Sequence, residues 1–290
     1  MWITIFIKED KKMMLIIFRK AAAIFLLLSV IISNYHIDIN TYNYSDKKSE
    51  VSRIVLISDL HGREFGKNNN RLINKIISLK PDIICLAGDF IDKDNTPDDN
   101  TEFIDFLNNI AEISPVYYSY GNHDIGYYNT NGFSLLDDIR KTGCIVLEEE
   151  FVDVEINGKQ IRIGGMFDYA FNQQYVSQEE WVQDSTYIFL DKFTDTDRMK
   201  ILMCHRPESF IYENASFWEI DYVLSGHTHG GIWRFPFIGG VIAPEQGLFP
   251  TYDKGEYAIN NIRMIISSGL SGYKKIPRLF NSPEITVIEF

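Results

Sequence analysis

The chain has 290 residues, enough for one large core and a short accessory segment. Hydrophobic residues make up 45% and charged residues 23%, a balance that excludes a disordered polymer. The formal net charge of −12 repels polyanions and excludes long duplex nucleic acid as a partner, although a small phosphate ester held by cations is still compatible with it.

In chain order, the first feature is the uncharged block Ala21–Ser33, with Arg19 and Lys20 just before it and Lys11 and Lys12 further back. That layout belongs to a signal sequence or signal anchor. The block is short of the roughly 20 residues that a span needs. Continuation through Tyr35, Ile37 and Ile39 supplies the length, and Arg19 and Lys20 can snorkel. No small-x-small cleavage site follows Ser33, so an uncleaved membrane anchor is expected. Basic residues are denser before the block than after it, where Lys47, Lys48 and Arg53 lie. This bias puts the amino terminus inside and the body on the extracytoplasmic side. The first 45 residues hold five basic and three acidic residues, so the remaining 245 carry −14. Asn40–Glu50 is polar and reads as a linker. The expected division is 1–45 for anchor and linker and 46–290 for one globular domain, with its first strand near Val51. The odd number of cysteines (Cys85, Cys144 and Cys204) cannot close a disulfide framework, and buried thiols are expected.

From Arg53 the chain keeps a rhythm. Arg53–Ser58 is a short apolar run rich in β-branched residues, which predicts a strand buried on both faces. It ends in Asp59-Leu60-His61. Asn69–Lys80 places Leu72, Ile73, Ile76 and Ile77 on one helical face, and Pro81 stops it. Asp82–Ala87 is the next strand, ending in Gly88-Asp89 with Asp92 beyond. Thr101–Ile113 is an amphipathic helix, and Pro115–Tyr120 is a strand that runs into Gly121-Asn122-His123-Asp124. Ser134–Lys141 reads as a helix, with Gly143 suited to its C′ position. Phe151–Gly165 alternates on both sides of Asn157-Gly158, the strongest short hairpin signal. Lys200–Cys204 ends in His205, and Asp221–Ser225 ends in Gly226-His227-Thr228-His229-Gly230-Gly231.

Five strands therefore deliver polar side chains at their carboxyl ends, where the ligand crevice of an open α/β sheet lies. Five of the six histidines fall at these junctions. Asp59, His61, Asp89, Asn122, His205, His227 and His229 are carboxylate, amide and imidazole donors without a thiolate, a mixture suited to Mn, Fe or Zn. Seven donors are too many for one tetrahedral ion and fit two divalent ions that share a carboxylate. Such ions, roughly 3.5–4 Å apart, clamp an in-line displacement at phosphorus and make a bridging hydroxide available near neutral pH. In an extended segment, residues i and i+2 face the same side. His227 and His229 are thus expected to look into the crevice together, with Thr228 turned away.

In this order, Asp59-x-His61, Gly88-Asp89-x-x-Asp92, Gly121-Asn122-His123-Asp124, His205 and Gly226-His227-x-His229 resemble the motif series of the calcineurin-like metallophosphoesterases. The series spans most of the globular chain. The tail, with Ala243–Pro250 and Ser267–Gly272, resembles the membrane-associated bacterial branch, which includes proteins similar to a phosphodiesterase and to UDP-diacylglucosamine hydrolase. The resemblance implies an α/β fold, a four-layer sandwich of two mixed β-sheets flanked by helices, here preceded by the hydrophobic helix. It implies a phosphoesterase acting on a small or lipid-linked phosphate ester, a phosphodiester or pyrophosphate. One metal would take Asp59, His61 and His229, the other Asn122, His205 and His227, with Asp89 between them. His123 would be the general acid, oriented by Asp92, and Asp124 would brace the turn. Ile232 departs from the Gln that this branch often has there, which bears on substrate choice. Two other readings of the same residues stay open: a metal-binding membrane scaffold without turnover, and a lipid-binding surface protein recruited through Trp233, Phe235, Phe237, Ile238, Leu248 and Phe249.

Overall fold

The computed structural model describes residues 2–45, 50–166, 185–211, 218–272 and 276–290, with the backbone alone for 2–12. Lys47 and Lys48, part of the charge bias above, lie outside the described residues. The strands are β1 (Asp38–Asn43), β2 (Arg53–Ile57), β3 (Ile83–Ala87), β4 (Val116–Ser119), β5 (Ile145–Val146), β6 (Glu150–Ile156), β7 (Lys159–Gly165), β8 (Met199–Met203) and β9 (Tyr222–Ser225). Short hairpins β10 (Arg234–Phe235) with β11 (Gly239–Gly240) and β12 (Ile242–Ala243) with β13 (Gly247–Leu248) follow, then β14 (Gly255–Ile259), β15 (Ile262–Ile266) and β16 (Glu284–Glu289).

Two mixed sheets result, ordered β1-β16-β2-β3-β4-β5 and β14-β15-β9-β8-β7-β6. Period-two alternation of apolar side chains explains why they stack. Ile54, Leu56, Ile83 and Cys85 of the first sheet meet Ile161, Ile163, Ile201, Met203, Leu224 and Ile265 of the second in one inner core. The intervening residues Val55, Ile57, Ile84 and Leu86 point outward beneath α2 (Asn70–Leu79), α3 (Thr101–Ala111) and α5 (Ser134–Lys141). On the other side, Leu202, Val223, Met264 and Ile266 pack under α6 (Ser185–Thr194). The layers are helix, sheet, sheet, helix, the architecture that the resemblance implied. All three cysteines are buried and none forms a disulfide.

Three local features differ from the sequence reading. The expected linker begins inside β1, whose alternating pattern is too polar to announce a strand but which pairs in parallel with β16 from Asp38–Glu284 to Asn43–Glu289. Residues Asn122–Asn131 form a helix, α4, although Gly126 and three Asn residues weaken its helical signal. The amino-terminal helix α1 (Trp2–Tyr35) gains length before the uncharged block rather than after it. Its segment Met13–Tyr35 contains an 18-residue stretch with a mean hydropathy of 2.4 and is long and apolar enough to cross a membrane. Those 23 residues rise about 35 Å against a hydrocarbon core of about 30 Å. Ile37 instead turns into the body and is buried there.

The strand directions decide where α1 arrives. β16 runs antiparallel to β2 and parallel to β1, so β1 starts at the end where β2 finishes. The last turn of α1 is fastened there. Asn34 and Arg278 exchange two bonds, Asn34 Nδ2 donating to Arg278 O (3.0 Å) and Arg278 N donating to Asn34 Oδ1 (3.2 Å). The open carbonyls at the helix end accept from Arg63 at Asn34 and from Arg71 at Tyr35 (2.8 Å).

Leu56 is fully buried between the sheets. Leu56→Ala is expected to cost about 2–5 kcal/mol of stability. Chemical denaturation of wild type and variant measures it, and a difference below about 0.5 kcal/mol would contradict a close-packed layer.

Candidate metal centre

The loops that follow β2, β3 and β4 in one sheet and β8 and β9 in the other meet at the end of the sandwich where α1 docks. Three sets of donors have all their ligand atoms within 4.8 Å of one another: Asp59, His61 and His229; Asp89, His205 and His227; and His61, Asp92 and His123. The first two sets touch. His205 Nε2 is 3.1 Å from Asp89 Oδ2 and 3.9 Å from Asp59 Oδ1, and His61 Nε2 is 3.6 Å from Asp89 Oδ2. His229 Nε2 is 3.9 Å from Asp59 Oδ1. Asn122 opens α4, and its neighbour His123 donates its backbone N–H to Asp89 Oδ1 (2.8 Å). The sequence-predicted residues therefore gather in one place.

Backbone conformation aims them. Asp59, His61, Asp89, His227 and His229, five of the seven candidate donors, have φ between +47° and +68°. Asp, Asn and His tolerate this left-handed region best, yet each such residue costs roughly 1–2 kcal/mol. The Gly226–Gly231 run is accordingly not extended. Thr228 is in the right-handed region between two left-handed histidines, and its side chain is buried, donating to Asp253 O. The i, i+2 argument is corrected: two sharp backbone reversals, not strand geometry, bring His227 and His229 together. Ile232, at the departure from the family pattern, holds φ 51° and ψ −62°, a strained γ-turn for a β-branched residue.

The surrounding bonds fix tautomers. His205 Nδ1 sits 2.7 Å from Ala87 O and His229 Nδ1 3.2 Å from Ser271 O, so both rings donate through Nδ1 and turn Nε2 inward. Asp124 braces the turn as expected. It accepts from Gly121 N (2.8 Å) and Asp89 N (2.7 Å), and more weakly from Phe90 N and Ile91 N. Two glycines make room for donor side chains. A Cβ on Gly88 (φ +78°) would come within 2.7 Å of His205 Nδ1, and one on Gly269 (φ +67°) within 2.5 Å of Asp59 Oδ2.

Electrostatics favour cation ligands. Burial holds His227 and His229 well below the ordinary imidazole range and lowers His61. These rings are neutral, the form that coordinates metal. Asp59 is raised by burial. For Asp89 burial acts upward too, but His205, His61 and His123 together outweigh it and keep that carboxyl well below the usual range. The buried atoms Asn122 Oδ1, His61 Nε2 and His227 Nε2 have no hydrogen-bond partner among the described residues. Orphan acceptors among neutral imidazoles and two buried carboxylates fit divalent cations.

At the rim, His123 Nδ1 lies 2.9 Å from Asp92 Oδ1. Burial alone would lower this imidazole; the bond to Asp92 and the charge of Asp89 outweigh burial and raise it. His61, Asp92, His123 and His229 line a crevice of about 370 Å³ together with Arg63 and Asn34.

The sequence reading missed the support behind His229. Arg278 is fully buried and donates to the carbonyls of Ser268, Gly269, Ser271 and Ser282. Asn281 Nδ2 donates to His229 O (2.7 Å). Neither belongs to a motif; the only signal was a polar pair in an otherwise apolar and proline-flanked stretch.

The calcineurin-like phosphoesterase family profile matches residues 52–231, more than half of the chain. The chain belongs to the calcineurin-like phosphoesterase family. Metallophosphoesterase Cj0846 of Campylobacter jejuni is 30% identical over 239 residues, 81% of this chain and 58% of its own length. The chain thus spans little more than half of that relative. YkuE of Bacillus subtilis is 28% identical over 81% of this chain and 77% of its own length, and phosphodiesterase YaeI of Escherichia coli is 25% identical over 82% and 81%. A 5′-nucleotidase precursor from Thermus thermophilus superposes with a TM-score of 0.48 at 13% identity, covering 83% of this chain and 55% of that one.

Gly269→Ala forces a Cβ against Asp59 at a positive φ. The expected loss is about 1–3 kcal/mol of stability. Thermal unfolding in chelator measures it; an unchanged midpoint would show that the loop gives way freely.

Proposed function

We propose that the chain hydrolyses a phosphodiester or pyrophosphate at a two-metal centre, with His123 as general acid. The observation that carries this reading is the contact between two buried donor sets beside a His–Asp pair that opens on a crevice. Asp59, His61 and His229 would hold one ion; Asn122, His205 and His227 would hold the other. Asp89, close to both His205 and His61, would serve both. Mn, Fe and Zn all suit the donors. Bound there, the ions would supply Lewis acidity to activate water and stabilise charge on phosphorus.

The protein's own groups do the rest. Asp92 accepts from His123 Nδ1, which leaves the other ring nitrogen to give its proton to the departing oxygen. Arg63, at the crevice wall, offers a positive charge to a phosphate that enters. We further infer that α1 is a membrane anchor with the body outside, and we place the division between anchor and body after Tyr35, because β1 belongs to the first sheet.

His123→Ala should slow an alkyl phosphodiester by about 10²–10⁴-fold, with far less effect on a p-nitrophenyl ester, whose leaving group needs no proton. Equal rates on the alkyl ester would refute the acid role. Asp89→Asn should lower bound metal from about two ions per chain to fewer than one, measured by elemental analysis after dialysis against Mn²⁺. Retention of two ions would refute the shared position. Metal bound without turnover on any phosphate ester would favour the scaffold reading.

A further inference from the structure

Large apolar side chains exposed on the body are not scattered. Among the described residues after α1, eight of the fourteen lie between Trp233 and Ile276. The β10–β11 tip and the carboxyl end of β13 dominate: Phe237 is fully exposed, and Ile238, Leu248 and Phe249 are each more than 60% exposed. Such concentration marks a contact surface rather than ordinary surface composition.

The surface is continuous with α1. Phe280 lies between them, its ring 5.7 Å from Phe235 at the base of the β10–β11 hairpin and 5.8 Å from Phe25 of α1. Arg234 N donates to Leu279 O and Trp233 Nε1 to Pro277 O, both at 3.0 Å, so the hairpin is sewn to the segment that holds the helix end. Ser29 and Ser33, one and two turns beyond Phe25, are buried against the body, and Asn281 N donates to Ser33 Oγ. Phe25, Ser29 and Ser33 form one i, i+4 stripe, with small residues that permit close approach. Phe25 stands ten positions before Tyr35, about 15 Å along the helix axis. The body thus touches α1 well inside its apolar segment, on the side that carries the hairpins. The crevice opens there too, since Asn34, Ile276 and Pro277 form part of its wall.

We propose that the β10–β11 tip and the Leu248-Phe249 end of β13 insert into the lipid bilayer beside α1 and seat the crevice mouth on the membrane surface, so that the substrate is a phosphate ester carried by a membrane lipid. The proposal rests on the phosphoesterase reading for its chemistry and on α1 as a span for its geometry. A headgroup phosphate at interfacial depth reaches the crevice without its acyl chains leaving the bilayer. Water then adds to phosphorus, the ester P–O bond breaks, and the proton from His123 goes to the departing oxygen.

The test uses the full chain in phosphatidylcholine–phosphatidylglycerol vesicles. The native cysteines are buried, so a fluorophore can be placed on Phe237→Cys, on Leu248→Cys, and on Asn157→Cys at the opposite end of the sandwich. Spin-labelled lipids should quench the first two by about twofold or more and leave the third unchanged. Absence of quenching at 237 and 248, or equal quenching at 157, would overturn the membrane seat, as would a concentration-dependent dimer that covers this surface instead. In a second arm, Phe237→Asp with Leu248→Asp should slow a vesicle-borne p-nitrophenyl phospholipid at least tenfold and leave soluble bis(p-nitrophenyl) phosphate unaffected. Equal loss on both substrates would overturn the substrate class. A wild-type chain that hydrolyses neither would refute the phosphoesterase reading, while quenching alone would still decide the seat.

Discussion

Two carboxylates buried side by side set the terms for this protein. Asp59 and Asp89 are essentially inaccessible to solvent and share His205 as a neighbour. An isolated buried carboxylate is one of the least favourable groups a fold can contain. The loops around them are shaped to offset that penalty. His227 N and His123 N donate to the carboxylate oxygens, imidazole rings crowd in from both sheets, and glycines let backbone approach where a side chain would collide. The left-handed residues belong to the same economy of space: strain in the backbone is accepted because it points the donors inward. A cation held there would complete what these groups leave partly compensated.

The pair also explains why the sandwich has two sheets. Asp59, Asp89 and Asn122 come from one sheet, and His205, His227 and His229 from the other. Packing across the inner core therefore sets distances within the centre, and rigidity there serves chemistry as well as stability. Arg278 extends the same logic. Its guanidinium gathers the carbonyls of the Ser267–Gly272 loop, and its backbone pairs with Asn34. Helix α1 and the His229 side of the centre are consequently joined by a few direct bonds.

Most of the fold was readable because buried parallel strands are simple in sequence. The short apolar runs at β2, β3, β8 and β9 and the Asn157-Gly158 turn announce themselves, and each strand ends in a residue that ordinary turns do not require. The candidate donors were legible for the same reason. What stayed hidden depended on partners far along the chain. β1 is polar because it is an edge strand that needs only β16 beside it. α4 is held by Asp124 and the loop after β3 rather than by helical propensity. Thr228 misled because period-two reasoning assumes a strand, whereas positive φ at its neighbours follows from the site and not from local preference.

The parallel pairing of β1 with β16 joins residues 246 positions apart, and β16 also separates β1 from β2. During synthesis β2, β3 and β4 can associate early, while β1 has no neighbour until the final strand slots between it and β2. The same late segment brings Arg278 and Asn281 to the loop around His229. Assembly is thus ordered in time: the helix that would enter the membrane is made first, and the last strand both ties it to the body and closes the cation site. A chain interrupted before that strand retains most of its hydrophobic layers but lacks a finished centre.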